Sequence, residues 1–328
     1  MPSAQLTKAI QISRHGGPEV MELDEVEVLP PEAGEVLIRH TAIGLNYIDV
    51  YFRTGLYPAE LPCVLGMEGA GVIEELGEGV TGFNVGDRVA YTGLMGAYAE
   101  RRTVPADRLV KIPKDVQDQT AAAMMMKGLT AHYLLNRTYR VGPGDTILIH
   151  AAAGGVGLIV CQWAKFLGAT VIGTVGSEAK AELAREHGCD HTILYKDEDF
   201  VKRVKEITSG FGVPVVYDSV GKDTFMKSLD CLRPLGLMVS FGQSSGAVPP
   251  FNVSTLTQKG SLFLTRPTLA TYIAQRDDLV EAAAELFKAV RTGVIKIEIG
   301  QHYPLRHAAK AHKDLESRKT TGSTILIP

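Results

Sequence analysis

The feature that most constrains this chain is a crossing from strand to helix near its middle. Residues 146–152 (TILIHAA) are a near-continuous apolar run, and residues 152–157 (AAGGVG) follow at once as a glycine-rich turn. From Val156 to Leu167 the chain stays apolar on most faces, as a helix packed on a sheet must be. Apolar runs then recur at 170–175, 191–195, 214–220, 236–242 and 262–265, alternating with helical segments at 178–187, 198–208, 222–231 and 253–259. Six strands joined by helical crossovers specify an α/β fold with a parallel, doubly wound sheet of the Rossmann type. The unbroken Val215, Val216, Tyr217 fits a strand buried on both faces.

The rest of the chain has another rhythm. Residues 1–125 read as β-rich, with strands at Val36–His40 and Gly71–Leu76 and dense turn signals at 16–18, 30–31, 77–79 and 86–87. Short strands between such turns predict a compact, barrel-like domain. After Pro267 come an amphipathic helix over 277–292, a second helix over 307–315 and a strand over 323–327, a tail that can return to the first domain. The expected division is 1–126, 127–266 and 267–328, and 328 residues suit two cores.

Bulk chemistry excludes several classes. A net charge of -3 without charge runs gives no broad attraction to nucleic acid or anionic membrane. Met1–Ile12 lacks the basic start and apolar run of a secretory signal, and no apolar stretch approaches the roughly 20 residues a bilayer span needs. A cytoplasmic protein is expected. Cys63, Cys161, Cys189 and Cys231 are scattered, which argues against a disulfide framework or a clustered zinc site, and Cys161 reads as a buried apolar residue.

The turn itself suggests a ligand. A dinucleotide pyrophosphate approaches main chain closely, so Gly154 must lack a Cβ there. Gly157 lets the helix press on the strand, and the helix N-terminus offers free N–H groups at the positive end of its dipole. The first glycine of G-x-G-x-x-G is replaced by Ala152. An NAD site carries an acid at the end of its second strand, about 20 residues past the glycines. Here that position is Gly176, followed by Ser177, with Lys180 in the next helix and Glu178 just inside it. Space, donors and positive charge without the acid predict NADPH.

Taken together, HGGPEV at 15–20, GLNYID at 44–49, GLYP at 55–58, KGLT at 127–130, HAAAGGVG at 150–157, VYDSVG at 216–221 and GLMVSFG at 236–242 are specific. In this order they resemble the bacterial NADPH:quinone oxidoreductases, the zeta-crystallin-like branch of the medium-chain dehydrogenases/reductases. The resemblance implies a GroES-like β-barrel catalytic domain around the Rossmann domain, an active site in the cleft, and a homodimer formed partly through Ser261–Thr265. Zinc-dependent relatives place a Cys in the loop that reads Ile43–Tyr47 here, and a His where Gly66-Met67-Glu68 has methionine. Met and Asn are poor zinc ligands, so no metal is expected and an electron-poor acceptor is favoured over an alcohol.

The resemblance places Asn46 and Thr130 near the nicotinamide, where the Asn46 amide can orient a carbonyl or a hydroxyl, and Tyr51 and Tyr57 beside a quinone. It places Gly154, Gly155 and Val156 at the pyrophosphate, and Gly176, Ser177, Lys180 and Tyr195 at the adenosine 2′-phosphate end. Phe241, Gly242 and Ser244 fall on the cofactor rim, Phe263 and Leu264 at the carboxamide, and Arg318 at a cofactor phosphate. Asp218 reads instead as the cap of the turn after its strand, and His307 and His312 as surface residues. The expected activity is transfer of reducing equivalents from NADPH to a quinone. One alternative is reduction of α,β-unsaturated carbonyls. Another, of a different class, is a non-catalytic NADPH- or RNA-binding crystallin-like role.

Overall fold

Six parallel strands form one sheet in the spatial order His191–Leu194, Thr170–Val175, Thr146–Ile149, Val213–Asp218, Leu232–Ser240, Phe263–Thr265. The structure, a computed structural model, describes residues 5–328; residues 1–4 of the segment read above for a secretory signal lie outside the described residues. Chain order reverses at Thr146–Ile149, the switch point where doubly wound sheets bind ligands. Every residue of Val213–Asp218 is buried, as its apolar run requires. One core packs Leu148, Ile172, Ile193 and Val216 against Phe200 and Phe225 of the helices Phe200–Ile207 and Phe225–Asp230. The first strand stops at Ile149, because Ala151 turns into the left-handed region at φ 56°.

This sheet belongs to one compact unit, Thr130–Tyr272 with Thr292–Lys296. The other unit comprises the described residues up to Leu129, Ile273–Arg291 and Ile297–Pro328. Its main sheet has seven strands centred on Glu35–Leu45, which pairs antiparallel with Glu68–Leu76, Arg101–Pro105 and Ser323–Ile327. The C-terminal strand thus closes on Leu45, Gly44 and Ile43, the residues just before Asn46. A smaller sheet joins Gln5–Ile12 to Glu22–Val28 and Cys63–Val64. Ile10, Ile38, Ile43, Leu65, Tyr91 and Leu326 share the core of this unit.

One sequence expectation is corrected here. His307 is exposed, but His312 is fully buried. The helix Ala308–Glu316 turns Ala308, Ala311 and His312 inward. The buried ring is tolerated because both nitrogens have partners: Arg53 Nη1 lies 3.1 Å from Nδ1 and Tyr98 Oη 3.0 Å from Nε2.

Candidate functional site

In the sheet unit the glycine turn is closed by Gly154 N donating to Ala151 O at 2.9 Å. Gly154 is the N-cap of the helix Gly155–Phe166 and has no side chain with which to cap it. The first-turn amides, Gly155 and Val156 among them, have no acceptor within a helix and carry its partial positive charge. A Cβ on Gly157 would lie 2.3 Å from Ala151 O and 2.6 Å from Ala152 O, so the helix presses on the turn only because Gly157 has no side chain. A Cβ on Gly154 would meet only Ala151 O, at 3.2 Å, and otherwise open space. Alanine at 152 is accommodated by the next strand: a Cβ on Gly173 would lie 2.5 Å from the Ala152 Cβ.

Gly176 follows the second strand, and Ser177 is the N-cap of the helix Glu178–Glu186, which carries half-buried Lys180. Glu178 is paired with Arg185 at 2.6 Å. Tyr195 follows the third strand, and its hydroxyl would be 2.9 Å from a Cβ on Gly176. Gly176, Ser177 and Tyr195 therefore gather at the ends of neighbouring strands. Asp218 Oδ1 accepts the amides of Val220 and Gly221, and its Oδ2 accepts Thr224 Oγ1 and Ser228 Oγ, so its carboxylate anchors the turn after the strand. Phe241 and Gly242 continue past the fifth strand, with both amides donating to Asp218 O, and Ser244 N donates to Ser219 O. Arg266, which the sequence did not single out, donates to the carbonyls of Ser240 and Gly242. Phe263 and Leu264 lie on the sheet's edge strand, 60% and 37% exposed. Thr130 is buried and hydrogen-bonded to the Tyr133 side chain.

In the other unit, Asn46 caps the helix Tyr47–Thr54, its main-chain N donating to Asp49 Oδ2 at 2.9 Å, one arm of a capping box. Its side-chain Nδ2 donates to Glu68 Oε2 at 2.8 Å. Glu68 is fully buried; its Oε1 accepts Met126 N at 2.7 Å and its Oε2 lies 3.2 Å from Lys127 Nζ. Asp49 is held by Tyr98, whose hydroxyl donates to Oδ2 at 2.9 Å, and beyond Tyr98 stand His312, Arg53 and Glu316. Burial pushes the Asp49 carboxyl up to about 7, against the Asn46 amide and the Tyr98 hydroxyl, which lower it. Burial also pushes His312 down to about 3, with the charge of Arg53 acting the same way. Tyr51, buried, packs between Tyr47 and half-buried Tyr57, with ring centroids at 5.6 and 5.1 Å. Arg318 follows the helix Ala308–Glu316 at φ 59° and acts electrostatically on Tyr47.

The comparisons match both units. Residues 155–289 match the family described as zinc-binding dehydrogenase, and residues 32–114 the alcohol dehydrogenase GroES-like domain. The chain is 53% identical to a quinone oxidoreductase of Pseudomonas aeruginosa over 98% of its own length and 100% of that protein. The chain belongs to the bacterial quinone oxidoreductases. The Escherichia coli member solved in complex with NADPH superposes with a TM-score of 0.96 at 50% identity, over 98% of this chain and all of that one. A 2-haloacrylate reductase from Burkholderia is 50% identical over 98% of this chain and 99% of that protein.

The open glycine turn fits a dinucleotide. Zinc, named in one family description, does not fit this member of the quinone oxidoreductase family. Asn46 and Met67 are poor zinc ligands, and the adjoining carboxylate of Glu68 is already paired with the Lys127 ammonium. Among the described residues no group of three or more His, Cys, Asp or Glu could hold a metal ion, and no helix is long and apolar enough to cross a membrane.

Proposed function

We propose that the protein is an NADPH-dependent quinone oxidoreductase. The observation that carries this is likeness over 98% of the chain to quinone oxidoreductases, one of them solved with NADPH. The strand end at Gly176 supports the phosphorylated cofactor: no carboxylate stands there, and the nearby Glu178 is held by Arg185. NADPH, when bound, supplies a hydride from C4 of its nicotinamide. Gly155 and Val156 hold the pyrophosphate by their amides, against the small Gly154. Gly176, Ser177 and Lys180 receive the 2′-phosphate, and Tyr195 covers the adenine. Phe241, Gly242 and Ser244 form the rim, Phe263 and Leu264 offer main-chain groups to the carboxamide, and Arg318 meets a phosphate. Thr130 and Asn46 orient the nicotinamide half. Asn46 directs its Nδ2 at Glu68 and its side chain also accepts the Asp49 main-chain N–H in the capping box, which together hold the amide rigid beside the nicotinamide half. Tyr51 and Tyr57 pack on the quinone, whose reduced oxygen takes its proton from Tyr51 or water.

Steady-state NADPH oxidation with a panel of quinones tests the activity, and turnover of quinones is the expected result. The likeness to a 2-haloacrylate reductase favours a second reading, reduction of an activated alkene, so the same assay includes α,β-unsaturated carbonyls and 2-haloacrylate. Turnover of the alkenes alone would replace the first reading with the second; turnover of neither would remove both. Lys180→Glu should lower the preference for NADPH, and equal kinetics with NADH and NADPH in the unmutated enzyme would sink that assignment.

We further propose a homodimer joined along the edge strand Phe263–Thr265, supported by the exposure of the Phe263 ring there. Sedimentation of Phe263→Asp checks it, with a monomer expected. A cytoplasmic location is supported by four free cysteines, and cell fractionation checks it.

A further inference from the structure

His150 is the last residue before the turn that begins at Ala151, and its ring is buried. Phe200 packs nearly perpendicular to it, with ring centroids 5.0 Å apart, which fixes the plane of the imidazole. Nδ1 lies 2.8 Å from Thr174 Oγ1 and Nε2 lies 2.9 Å from Ser228 Oγ. Ser228 donates its one hydroxyl hydrogen to Asp218 Oδ2 at 2.8 Å, so towards the ring its oxygen only accepts. Nε2 therefore carries a hydrogen. Burial pushes the ring below the usual histidine range, with the charge of Asp218 acting the other way, and a neutral ring has a single N–H. Nδ1 is left as an acceptor, and the Thr174 hydroxyl donates to it.

This run of bonds joins three strand ends. His150 leads into the glycine turn. Thr174 stands two residues before Gly176, and its carbonyl also accepts Ala152 N at 3.0 Å, so side chain and main chain both tie the second strand to the turn. Asp218 ends the fourth strand, and its main-chain carbonyl accepts the amides of Phe241 and Gly242. Thr174, Ser228 and Asp218 are as deeply buried as the ring, so no water competes for these bonds.

We propose that His150 is a positioning residue for cofactor choice: through the Thr174 hydroxyl it fixes where the second strand ends, and so holds Gly176 and Ser177 in the placing, relative to the glycine turn, that a 2′-phosphate requires. The ring touches neither cofactor nor substrate. This rests on the reading that Gly176 and Ser177 receive the 2′-phosphate. The two ring nitrogens serve different ends: Nδ1 holds the strand that leads to that phosphate, and Nε2 holds the helix Phe225–Asp230 through Ser228. NADH has no 2′-phosphate and depends less on the strand end. Cutting the Thr174 bond therefore weakens NADPH more than NADH, whereas a bond that only held the core together would weaken both by one factor.

The test measures NADPH and NADH dissociation constants by fluorescence titration of the whole protein, with thermal melting of the same samples. Thr174→Val deletes the hydroxyl and keeps a branched strand residue; the ratio of NADH Kd to NADPH Kd should fall about fivefold, the scale of one buried hydrogen bond. Thr174→Ser keeps the hydroxyl and should hold the ratio within about twofold of the unmutated value. His150→Gln reaches Ser228 but not Thr174 and should lower the ratio as Thr174→Val does. Combining the two should lower it no further, because both cut one contact. Where His150→Gln does not fold, the two Thr174 variants decide the matter alone. An NADPH preference that survives Thr174→Val in the folded protein overturns the proposal and leaves the 2′-phosphate site standing. So does a fall that Thr174→Ser shares, or one that adds in the double variant. An unmutated protein that binds NADH and NADPH alike removes the 2′-phosphate reading itself, and this proposal with it.

Discussion

The glycine turn and the Asn46 hub solve opposite problems. The turn is one contiguous stretch, Ala151–Gly157, made almost wholly of main chain, and it works by leaving space. The hub draws Gly44, Asn46, Glu68 and Lys127 together from distant stretches of one unit, and it works by filling space with paired charge. The turn should therefore be intolerant of volume and the hub, with the Asp49–Arg53 network beside it, intolerant of losing charge.

The sharpest way to break this contrast is Arg53→Met, which keeps volume and removes charge. Arg53 is 1% exposed; it donates twice to Glu316, once to Gly16 O, and lies against His312 Nδ1. Loss of about 3 kcal/mol in urea unfolding is expected, the scale of breaking a buried pair. Arg53→Lys should recover less than half, since a point cation cannot make both bonds to Glu316. A cost under about 1 kcal/mol would show that the network is ornamental to folding.

In the turn, two glycines separate packing from binding. Gly157→Ala drives a methyl into two carbonyl oxygens and should cost about 2 kcal/mol of stability. Gly154→Ala meets one oxygen at 3.2 Å, so it should cost under about 0.5 kcal/mol yet weaken NADPH more than about tenfold. Calorimetry and cofactor titration on the same samples check the split; equal stability losses would refute it.

The same contrast explains what the sequence discloses. A turn built from consecutive small residues can be read from the chain, and so can the alternation that makes the parallel sheet around it. The Asn46–Asp49 capping box, three residues apart, was equally within reach. Glu68 and Lys127 were not, because their pairing depends on how Glu68–Leu76 lies against Glu35–Leu45. His312 was misjudged for a like reason: spacing on a helix tells nothing of Arg53 and Tyr98, which come from far earlier in the chain. Ala152 looked like a defect in the motif until Gly173, on the neighbouring strand, proved to vacate the space.

Acid titration sharpens the comparison on the charged side. His40, held down to about 3 mainly by burial, and His312, likewise about 3, stay neutral in the native state while their unfolded forms protonate near 6.5. Their contributions are present above pH 6.5 and are lost as pH falls toward 3. Asp49 has the opposite sign: its folded value near 7 exceeds the unfolded 3.8, so its contribution is present at low pH and lost as pH rises through 7. Between about pH 4 and 6 the two histidines oppose the one carboxyl. Asp49→Asn should steepen the rise of stability with pH by about one proton, about 1.4 kcal/mol per pH unit, and His312→Gln should flatten it by the same amount. Urea midpoints across this range measure both slopes, and parallel slopes in all three proteins would contradict the assignment.

The smallest effect is expected where the turn is already strained. Ala151 sits at φ 56°, a conformation that costs an alanine about 1 kcal/mol and a glycine little. Glycine also loses more freedom on folding, which returns part of that gain. Ala151→Gly should therefore stabilise the protein by about 0.5 kcal/mol and leave NADPH affinity within about twofold, because the amides of Gly155 and Val156 keep their places. A measured loss of stability would mean that the left-handed turn is not the resting conformation. The space-keeping role assigned to Gly154 would then need another cause.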